Sequence, residues 1–305
     1  MPERIALVTG AHGFLGRHVA RALSLHGYLV HGLGHGGWEP EEWKRCGLSS
    51  WRTVEVTVET LRAFPTPELI VHCAGGASVA LSVADPLLDF RRTVTSTASV
   101  LEFARQHAPS AAVVLPSTGS VYGSCEDGSV PESAPLAPQS PHASHKQMAE
   151  ALCTSFGRSY GVRSSVVRFF SIYGPGLRKQ LLWDACTRLS RGEASFAGTG
   201  VETRDFLHVD DATQLILCAI GHAAASSPVV NGGTGVGATV SEMVTALADA
   251  LGARQRPMFT KVQRSGDPFR FVADNTRARG WGWTPRVSWQ DGVRAYAAWF
   301  AAGAK

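Results

Sequence analysis

Close to the N-terminus, a glycine-rich turn separates a short apolar run from a helical pattern. The apolar run covers residues 5–8, and glycines follow at Gly10, Gly13 and Gly16. In a strand–turn–helix unit the first glycine permits a tight turn, the second lets the backbone approach a pyrophosphate, and the third allows the helix to pack closely on the strand. The N–H groups of the helix N-terminus would bind the anion. The turn therefore predicts a dinucleotide site, and a purely structural glycine turn is the alternative.

The pattern after this turn predicts the fold class. Leu15, Val19 and Leu23 lie at helical spacing, and Gly27 supplies a C-terminal stop. Further short apolar runs alternate with helical patterns, at residues 29–33, 52–56, 69–73, 112–115 and 165–169. Such alternation predicts an α/β fold with a doubly wound parallel sheet.

The pattern changes beyond residue 174, where Gly-Pro-Gly precedes a helical stretch at residues 181–189 and short strand-like pieces. We therefore expect a dinucleotide-binding domain of residues 1–173, to which later segments near residues 207–235 return. Residues 174–305 would form mainly a smaller α/β substrate-binding domain.

Composition narrows the function classes. The 305 residues are 44% hydrophobic, and the net charge of +4 comes from scattered residues without a Lys/Arg run, so no nucleic-acid partner is expected. The six cysteines contain no C-x-x-C pair, which argues against a zinc ribbon or a disulfide framework. No signal-type apolar region and no 18-residue apolar stretch is found, so the expectation is a cytoplasmic protein without a membrane partner.

Several further motifs carry a resemblance to a known family. Residues 116–123 read Pro-Ser-Thr-Gly-Ser-Val-Tyr-Gly, residues 168–176 read Arg-Phe-Phe-Ser-Ile-Tyr-Gly-Pro-Gly, and residues 203–211 read Thr-Arg-Asp-Phe-Leu-His-Val-Asp-Asp. Asn-Gly-Gly at residues 231–233 and Arg-Ser-Gly-Asp at residues 264–267 follow in order. With the glycine turn, this series resembles the extended short-chain dehydrogenase/reductase family, the nucleotide-sugar epimerases and dehydratases.

The resemblance implies a Rossmann fold, a nicotinamide cofactor and a nucleoside-diphosphate sugar as substrate. It also implies a homodimer formed through the segment 96–106 and the helix of Lys146. The implied catalytic residues are Thr118, His142 and Lys146. The implied cofactor-binding residues are Gly10, His12, Gly13, Phe14, Leu15, Gly34, His35, Glu55, Ala74 and Lys146. The implied substrate-binding residues are Thr118, Ser171, Arg204 and Arg264.

The chain departs from the family at the catalytic base. Family members carry Tyr-x-x-x-Lys, whereas residues 141–146 read Pro-His-Ala-Ser-His-Lys. Lys146 is in place and His142 holds the tyrosine position, on the same helix face because four residues span 400°. An imidazole with a pKa near 6.5 is already a competent neutral base at pH 7, and neighbouring positive charge should lower that pKa further.

Three interpretations of this substitution remain open. His142 is the general base and acid, or the site binds nucleotides without proton transfer, or His145 or Tyr122 has taken over. No metal site is expected at His142 and His145, because the sequence identifies no carboxylate or third ligand beside them.

The cofactor segment also departs from the family. An acidic residue that binds the adenosine ribose is expected at the end of the second strand, where this chain has Gly34 followed by His35. NAD is the expected cofactor, and NADP remains an alternative because a glycine leaves room for a 2′-phosphate. Glu55 would contact the purine or lie as an ordinary carboxylate at the strand edge.

The residues after Thr118 bear on the reaction. Family 4,6-dehydratases carry Asp-Glu directly after this threonine, whereas Gly119 and Ser120 follow here. The resemblance then implies an epimerase acting by transient hydride transfer at a sugar carbon, C4 by family frequency. A keto-sugar reductase is the alternative, and a non-catalytic nucleotide-binding relative is the alternative from another class.

Overall fold

The computed structural model describes residues 3–76, 78–124, 128–261 and 270–303. Within them the strands are β1 Arg4–Thr9, β2 Tyr28–Gly34, β3 Leu48–Thr53, β4 Leu69–His72, β5 Ala112–Thr118, β6 Arg163–Phe169, β7 Ser171–Tyr173, β8 Ser195–Phe196, β9 Thr203–Arg204, β10 Phe206–His208, β11 Val229–Gly232, β12 Ala238–Thr239, β13 Met258–Phe259 and β14 Arg270–Phe271. The α-helices are α1 Phe14–Leu25, α2 Pro40–Arg45, α3 Val58–Arg62, α4 Val79–Ala84, α5 Pro86–Phe90, α6 Ser96–His107, α7 Pro141–Tyr160, α8 Gln180–Ser190, α9 Val209–Ile220, α10 Val240–Ala250, α11 Thr276–Gly280 and α12 Trp289–Ala301. A π-helical turn covers Arg91–Thr95 and a 3-10 turn covers Gly119–Tyr122.

Seven parallel strands form the central sheet, in the order β11-β6-β5-β4-β1-β2-β3. Strand β4 is buried along its whole length, as expected where helices cover both faces of a parallel sheet. The strand order reverses direction at β1, which leaves a crevice between the carboxyl ends of β1 and β4, where ligands of such folds bind. The doubly wound α/β fold expected from the sequence is confirmed.

The third strand is not where the sequence pattern placed it. It covers Leu48–Thr53 instead of residues 52–56, and its pairing with β2 contains a register irregularity at Val30/His31. Leu48, the first residue of the strand, is buried against β2. After the last residue of the strand, one further hydrogen bond to β2 runs from the N–H of Val54 to the carbonyl oxygen of Gly34. Glu55 therefore lies in the segment after the strand.

Alternate residues of β1 face opposite layers of helices. Ala6 and Val8 join the apolar cluster that contains Val19 and Leu23 of α1. Leu7 joins a second cluster, which contains buried residues of α6 and α7. The molecule therefore has three layers, and α7 lies on the face opposite to α1.

The C-terminal half adds a smaller unit at the carboxyl edge of the sheet. Its apolar core lies among α8, α10 and α12, next to the small sheet β12-β9-β14. Strand β11 returns to the central sheet and pairs with β6. Among the described helices, none is long and apolar enough to cross a membrane.

Candidate active site

The glycine turn lies at the crevice between β1 and β4. Gly10 has φ +65°, and a Cβ there would lie 2.6 Å from the backbone nitrogen of Ala74, just after β4. A Cβ on Gly16 would lie 2.3 Å from the carbonyl oxygen of Gly10, so this glycine lets α1 pack against the turn. Gly13 precedes α1 without a side-chain cap, which leaves the N–H groups of Phe14 and Leu15 at an open helix N-terminus. Such a terminus accommodates a pyrophosphate.

Aromatic side chains surround the far end of this turn. The ring of His12 lies 5.0 Å from that of Trp38 and 6.2 Å from that of Trp51. The guanidinium of Arg17 lies 4.8 Å from the Trp38 ring and donates a hydrogen bond to the carbonyl oxygen of His12. Burial, then the charge of Arg17, lowers the pKa of His12, so its ring is neutral at pH 7. Sequence reasoning missed both tryptophans, because Trp38 lies in a loop and Trp51 lies in β3, which the apolar pattern placed at residues 52–56.

Gly34 ends β2 beside the glycine turn. A Cβ on Gly34 would lie 3.2 Å from the Cα of Gly10, so a side chain here would crowd the turn. His35 and Glu55, the other candidates for the adenosine end, are both exposed.

Lys146 of α7 reaches the opposite side of the crevice. Its Nζ donates a 2.9 Å hydrogen bond to the carbonyl oxygen of Pro116 on β5, and it would lie 3.3 Å from a Cβ on Gly75. The ammonium is buried, and burial lowers its pKa. The neighbouring thiol of Cys73 has a pKa raised to about 12 by burial and stays protonated at pH 7. Cys73 therefore adds no charge beside Lys146 at this edge of β4 and β5.

His142 stands in the first turn of α7, four residues before Lys146. Ser140 caps the helix, and the backbone N–H of His142 donates to Oγ of Ser82 on α4. Burial is the main cause that lowers the pKa of His142 to about 4, followed by the charge of Lys146, while Asp89 acts in the opposite direction. The imidazole is therefore neutral at pH 7 and able to accept a proton.

A carboxylate that the sequence analysis did not identify lies beside the two histidines. Asp89 of α5 is 5% exposed, and its Oδ2 accepts a 2.6 Å hydrogen bond from Nδ1 of His145. Its Oδ1 lies 4.0 Å from Nδ1 of His142. Sequence reasoning could not identify this carboxylate, because Asp89 is more than fifty residues away in sequence and only the packing of α5 on α7 brings it here. No group of three candidate metal ligands occurs among the described residues.

Thr118 is the last residue of β5, two residues beyond the carbonyl that holds Lys146. Its hydroxyl contacts Oγ of Ser120 at 3.1 Å. A Cβ on Gly119 would lie 2.9 Å from the ring of Phe271 and 3.1 Å from that of Phe170. Two aromatic rings therefore pack close to the residue that follows Thr118.

Tyr122, one of the alternative bases, uses its hydroxyl in a buried hydrogen-bond network. Its hydroxyl donates to Oδ1 of Asn231 at 2.7 Å and accepts from Arg168 at 2.9 Å. Arg168 also forms a buried ion pair with Glu150 of α7. The tyrosine is 2% exposed and belongs to the network that ties α7 to the sheet.

The substrate candidates Ser171 and Arg204 line one cavity of about 200 Å³ in the smaller unit. Tyr173, Leu181 and Phe206 form its apolar wall. The guanidinium of Arg204 donates to the carbonyl oxygen of Thr203. An arginine at the edge of apolar walls is an arrangement that binds an anionic group next to an apolar one. Arg264, the other arginine candidate, lies outside the described residues.

Comparisons with known proteins agree with this geometry. The model of the NAD dependent epimerase/dehydratase family matches residues 6–233. A UDP-glucose 4-epimerase of Mycolicibacterium smegmatis is 33% identical over 302 residues, which cover 94% of this chain and 95% of that protein.

Two solved structures extend the likeness to the whole chain. The UDP-glucose 4-epimerase of Thermotoga maritima with UDP-glucose has a TM-score of 0.89 at 29% identity and covers 99% of this chain and 100% of that chain. The Thermus thermophilus UDP-glucose 4-epimerase in complex with NAD has a TM-score of 0.86 at 28% identity and covers 97% of this chain and 99% of that chain.

Proposed function

Since the chain belongs to the NAD-dependent epimerase/dehydratase family, we propose that it is a nucleotide-sugar 4-epimerase that uses NAD and acts on a UDP-sugar. One observation from the geometry carries the proposal. The glycine turn, Lys146 and Thr118 all lie at the carboxyl edge of the sheet, around the crevice where the strand order reverses. His142 lies beside Lys146 at the start of α7.

The residues of the crevice fit a dinucleotide. The open N-terminus of α1 would hold the pyrophosphate, and the absence of a Cβ at Gly13 keeps the approach clear. His12, Trp38 and Trp51 would enclose the adenosine end, and Lys146 would hold the nicotinamide ribose. When bound, NAD supplies a reversible hydride acceptor.

Side chains of the protein would transfer the proton of the reacting hydroxyl. His142, neutral at pH 7, takes the proton of the sugar C4 hydroxyl as the carbon is oxidised, and returns it when the ketone is reduced from the other face. The hydroxyl of Thr118 orients the reacting oxygen. The ammonium of Lys146 adds positive potential that stabilises the developing alkoxide.

The wall at Gly119 argues against dehydration. Elimination of water across the 5,6 bond needs an acid and a base beside the sugar. This chain has Gly119 and Ser120 at the two positions after Thr118, and a Cβ on Gly119 would already lie 2.9 Å from the ring of Phe271. An epimerase needs no such pair.

The direct test is turnover of UDP-glucose by the purified protein with NAD. We expect UDP-galactose to form without net reduction of NAD and without deuterium at C4 when the reaction is run in D₂O, because the hydride returns to the same sugar. Anion-exchange chromatography and NMR measure both. Stoichiometric consumption of NADH with a keto-sugar would indicate a reductase instead. Binding without conversion of UDP-glucose, UDP-N-acetylglucosamine or UDP-glucuronate would contradict an epimerase.

Arg204 tests the substrate cavity. We expect Arg204→Ala to weaken UDP-glucose binding by about 1.5–3 kcal/mol, because a charge-assisted hydrogen bond to the diphosphate is lost, while NAD binding is unchanged. Isothermal titration with each ligand measures this. Arg256→Ala, which removes an arginine of an exposed ion pair, is the control. Equal UDP-glucose affinity in both variants would show that Arg204 does not contact the diphosphate.

We also propose that the protein forms a homodimer through α6 and α7. Met148 and Tyr160 are exposed along α7, and the guanidinium of Arg105 on α6 lies 5.1 Å from the Tyr160 ring. Met148→Glu would place a charge in the apolar interface and should shift the protein towards monomer. Light scattering after size-exclusion chromatography measures the mass, with Leu25→Glu on the opposite face of the sheet as the control. A monomeric wild-type protein would refute this arrangement.

A further inference from the structure

Asp89 connects the first turn of α7 to α5. We infer that Asp89 is the positioning residue for proton transfer, accepting a hydrogen bond from Nδ1–H of His142 and leaving Nε2 of that ring as the base. The inference rests on the proposed function, because it assigns His142 the proton that the epimerase reaction must move.

The structure makes room for this carboxylate. A Cβ on Gly76 would lie 1.7 Å from Oδ1 of Asp89, so the oxygen occupies the space that any other residue at position 76 would fill. His145 holds the second oxygen through its 2.6 Å hydrogen bond, and Phe90 packs edge-on against the His145 ring. Asp89 is thus fixed on one side and presents Oδ1 to His142 on the other.

His142 lacks a partner at the matching atom. Its Nδ1 is buried, and no hydrogen bond to it is found among the described residues. Leaving a buried nitrogen unsatisfied is unfavourable. An Asp89 oxygen, which is an acceptor, lies 4.0 Å away, and the hydrogen bond that we infer forms when the ring turns towards it. A carboxylate in front of Nδ1 selects the tautomer with the proton on Nδ1, so the lone pair is on Nε2.

Charged groups around His142 oppose one another. Lys146 and His145 of α7 and Lys179 before α8 disfavour its protonation, and Asp89 of α5 favours it. Ser82 of α4 contacts only its backbone N–H. Removal of the Asp89 charge therefore lowers the pKa of His142. The tautomer of the ring then distinguishes a hydrogen bond to Nδ1 from the effect of charge alone.

Imidazole ¹⁵N NMR of the NAD-bound protein tests the assignment without relying on turnover. We expect wild-type His142 to carry its proton on Nδ1, and Asp89→Asn to lower the pKa of His142 by about one unit. The wild-type tautomer is readable even if the variant does not fold. A proton on Nε2 in the wild type, or an unchanged pKa in a folded Asp89→Asn variant, would overturn the inference.

Kinetics provide the second measurement. Asp89→Asn should lower kcat roughly 10- to 100-fold with the KM for UDP-glucose nearly unchanged, and should move the acid limb of the kcat profile to lower pH. Asp85→Asn is the matched control, because Asp85 is exposed and caps the same helix through Leu88, a role that asparagine performs equally well. Its kcat and pH profile should match the wild type.

A variant of His145 distinguishes this inference from the alternative that His145 itself is the base. His145→Phe leaves Asp89 in front of His142, so kcat should fall less than in Asp89→Asn, and the acid limb should remain. If His145→Phe removes turnover while His142→Phe keeps it, His145 is the base and the inference is wrong. If the wild type converts no nucleotide sugar, the proposed function fails, and the NMR tautomer still decides whether Asp89 faces Nδ1 of His142.

Discussion

At the scale of single residues, His142 stands where the family resemblance places a tyrosine, in the first turn of the regular helix α7. The four-residue spacing to Lys146 keeps both on one face of α7. A tyrosine needs neighbouring positive charge to bring its pKa near 10 into the working range, whereas the same positive charge only keeps a histidine neutral. The same positively charged surroundings therefore support proton transfer by either residue. The tyrosine needs them to lose its proton, whereas the histidine is already an acceptor without them.

The pH dependence of the rate follows from this difference. Because the pKa of His142 is lowered from 6.5 to about 4, the base form persists as the pH falls, and kcat/KM should decrease only below neutral pH, with an apparent pKa between about 4 and 6.5. His142→Phe should reduce kcat at least about 100-fold while both ligands still bind. His142→Tyr should retain measurable turnover with its optimum moved to alkaline pH.

Steady-state rates over a pH range that extends below about 4 on the acid side measure these profiles, and titration with NAD and UDP-glucose checks binding in each variant. Full activity of His142→Phe would remove the base assignment. An acid limb that is equally present in His142→Phe would assign that limb to another group.

At the scale of elements, two glycines at the start of α1 have different roles, one in ligand binding and one in the packing of the helix. Gly13 has φ −67° and ψ 165°, values that any residue adopts, and a Cβ there would lie 3.1 Å from the carbonyl oxygen of Gly10. At Gly16 the corresponding distance is 2.3 Å, so a side chain there would push α1 away from the turn. The two glycines, three residues apart, therefore have different roles.

This difference can be measured with two variants. Gly13→Val should abolish NAD binding, because its side chain fills the approach of the pyrophosphate, with only a small change in Tm. Gly16→Val should lower the Tm markedly, because the backbone of α1 must move. Isothermal titration and thermal unfolding compare the two. Normal NAD affinity in Gly13→Val would remove the dinucleotide site from this turn.

At the scale of the whole molecule, a buried polar network holds α7 on the sheet. Arg168 of β6 donates to Glu150 at 2.6 Å and to Tyr122 at 2.9 Å, and Ser117 of β5 also donates to Glu150. Asn231 of β11 extends the network to the strand that returns from the smaller unit. The helix that carries His142 and Lys146 is thus held directly by residues of β5 and β6, and β11 joins the network through Tyr122.

Removing Arg168 from its ion pair with Glu150 should destabilise the folded protein. Arg168→Met should lower the free energy of unfolding by about 3–5 kcal/mol, because it leaves the Glu150 carboxylate buried without its counter-charge. Adding Glu150→Gln to Arg168→Met should recover part of the loss. Urea denaturation measures both, and Arg256→Ala in an exposed ion pair should leave the unfolding curve unchanged. Additive losses in the double variant would show that the two side chains do not depend on one another.

The sequence alone determined the features that depend on local order. The glycine turn, the alternation of apolar runs and the helix of Lys146 each lie within a few residues of one another, and chain geometry fixes what such spacings form. The placement of Thr118 at a strand end and of His142 on the face of Lys146 follows in the same way.

Only the tertiary structure decided what surrounds these groups. Asp89 faces His142 and His145 because α5 packs on α7, Phe271 closes the space at Gly119 from more than 150 residues away, and two tryptophans approach His12 from separate segments. Strand β3 began earlier than its apolar pattern, because pairing with β2 placed Leu48 in the core. Contacts between residues distant in sequence depend on how whole elements pack, and no local periodicity in the chain records that packing.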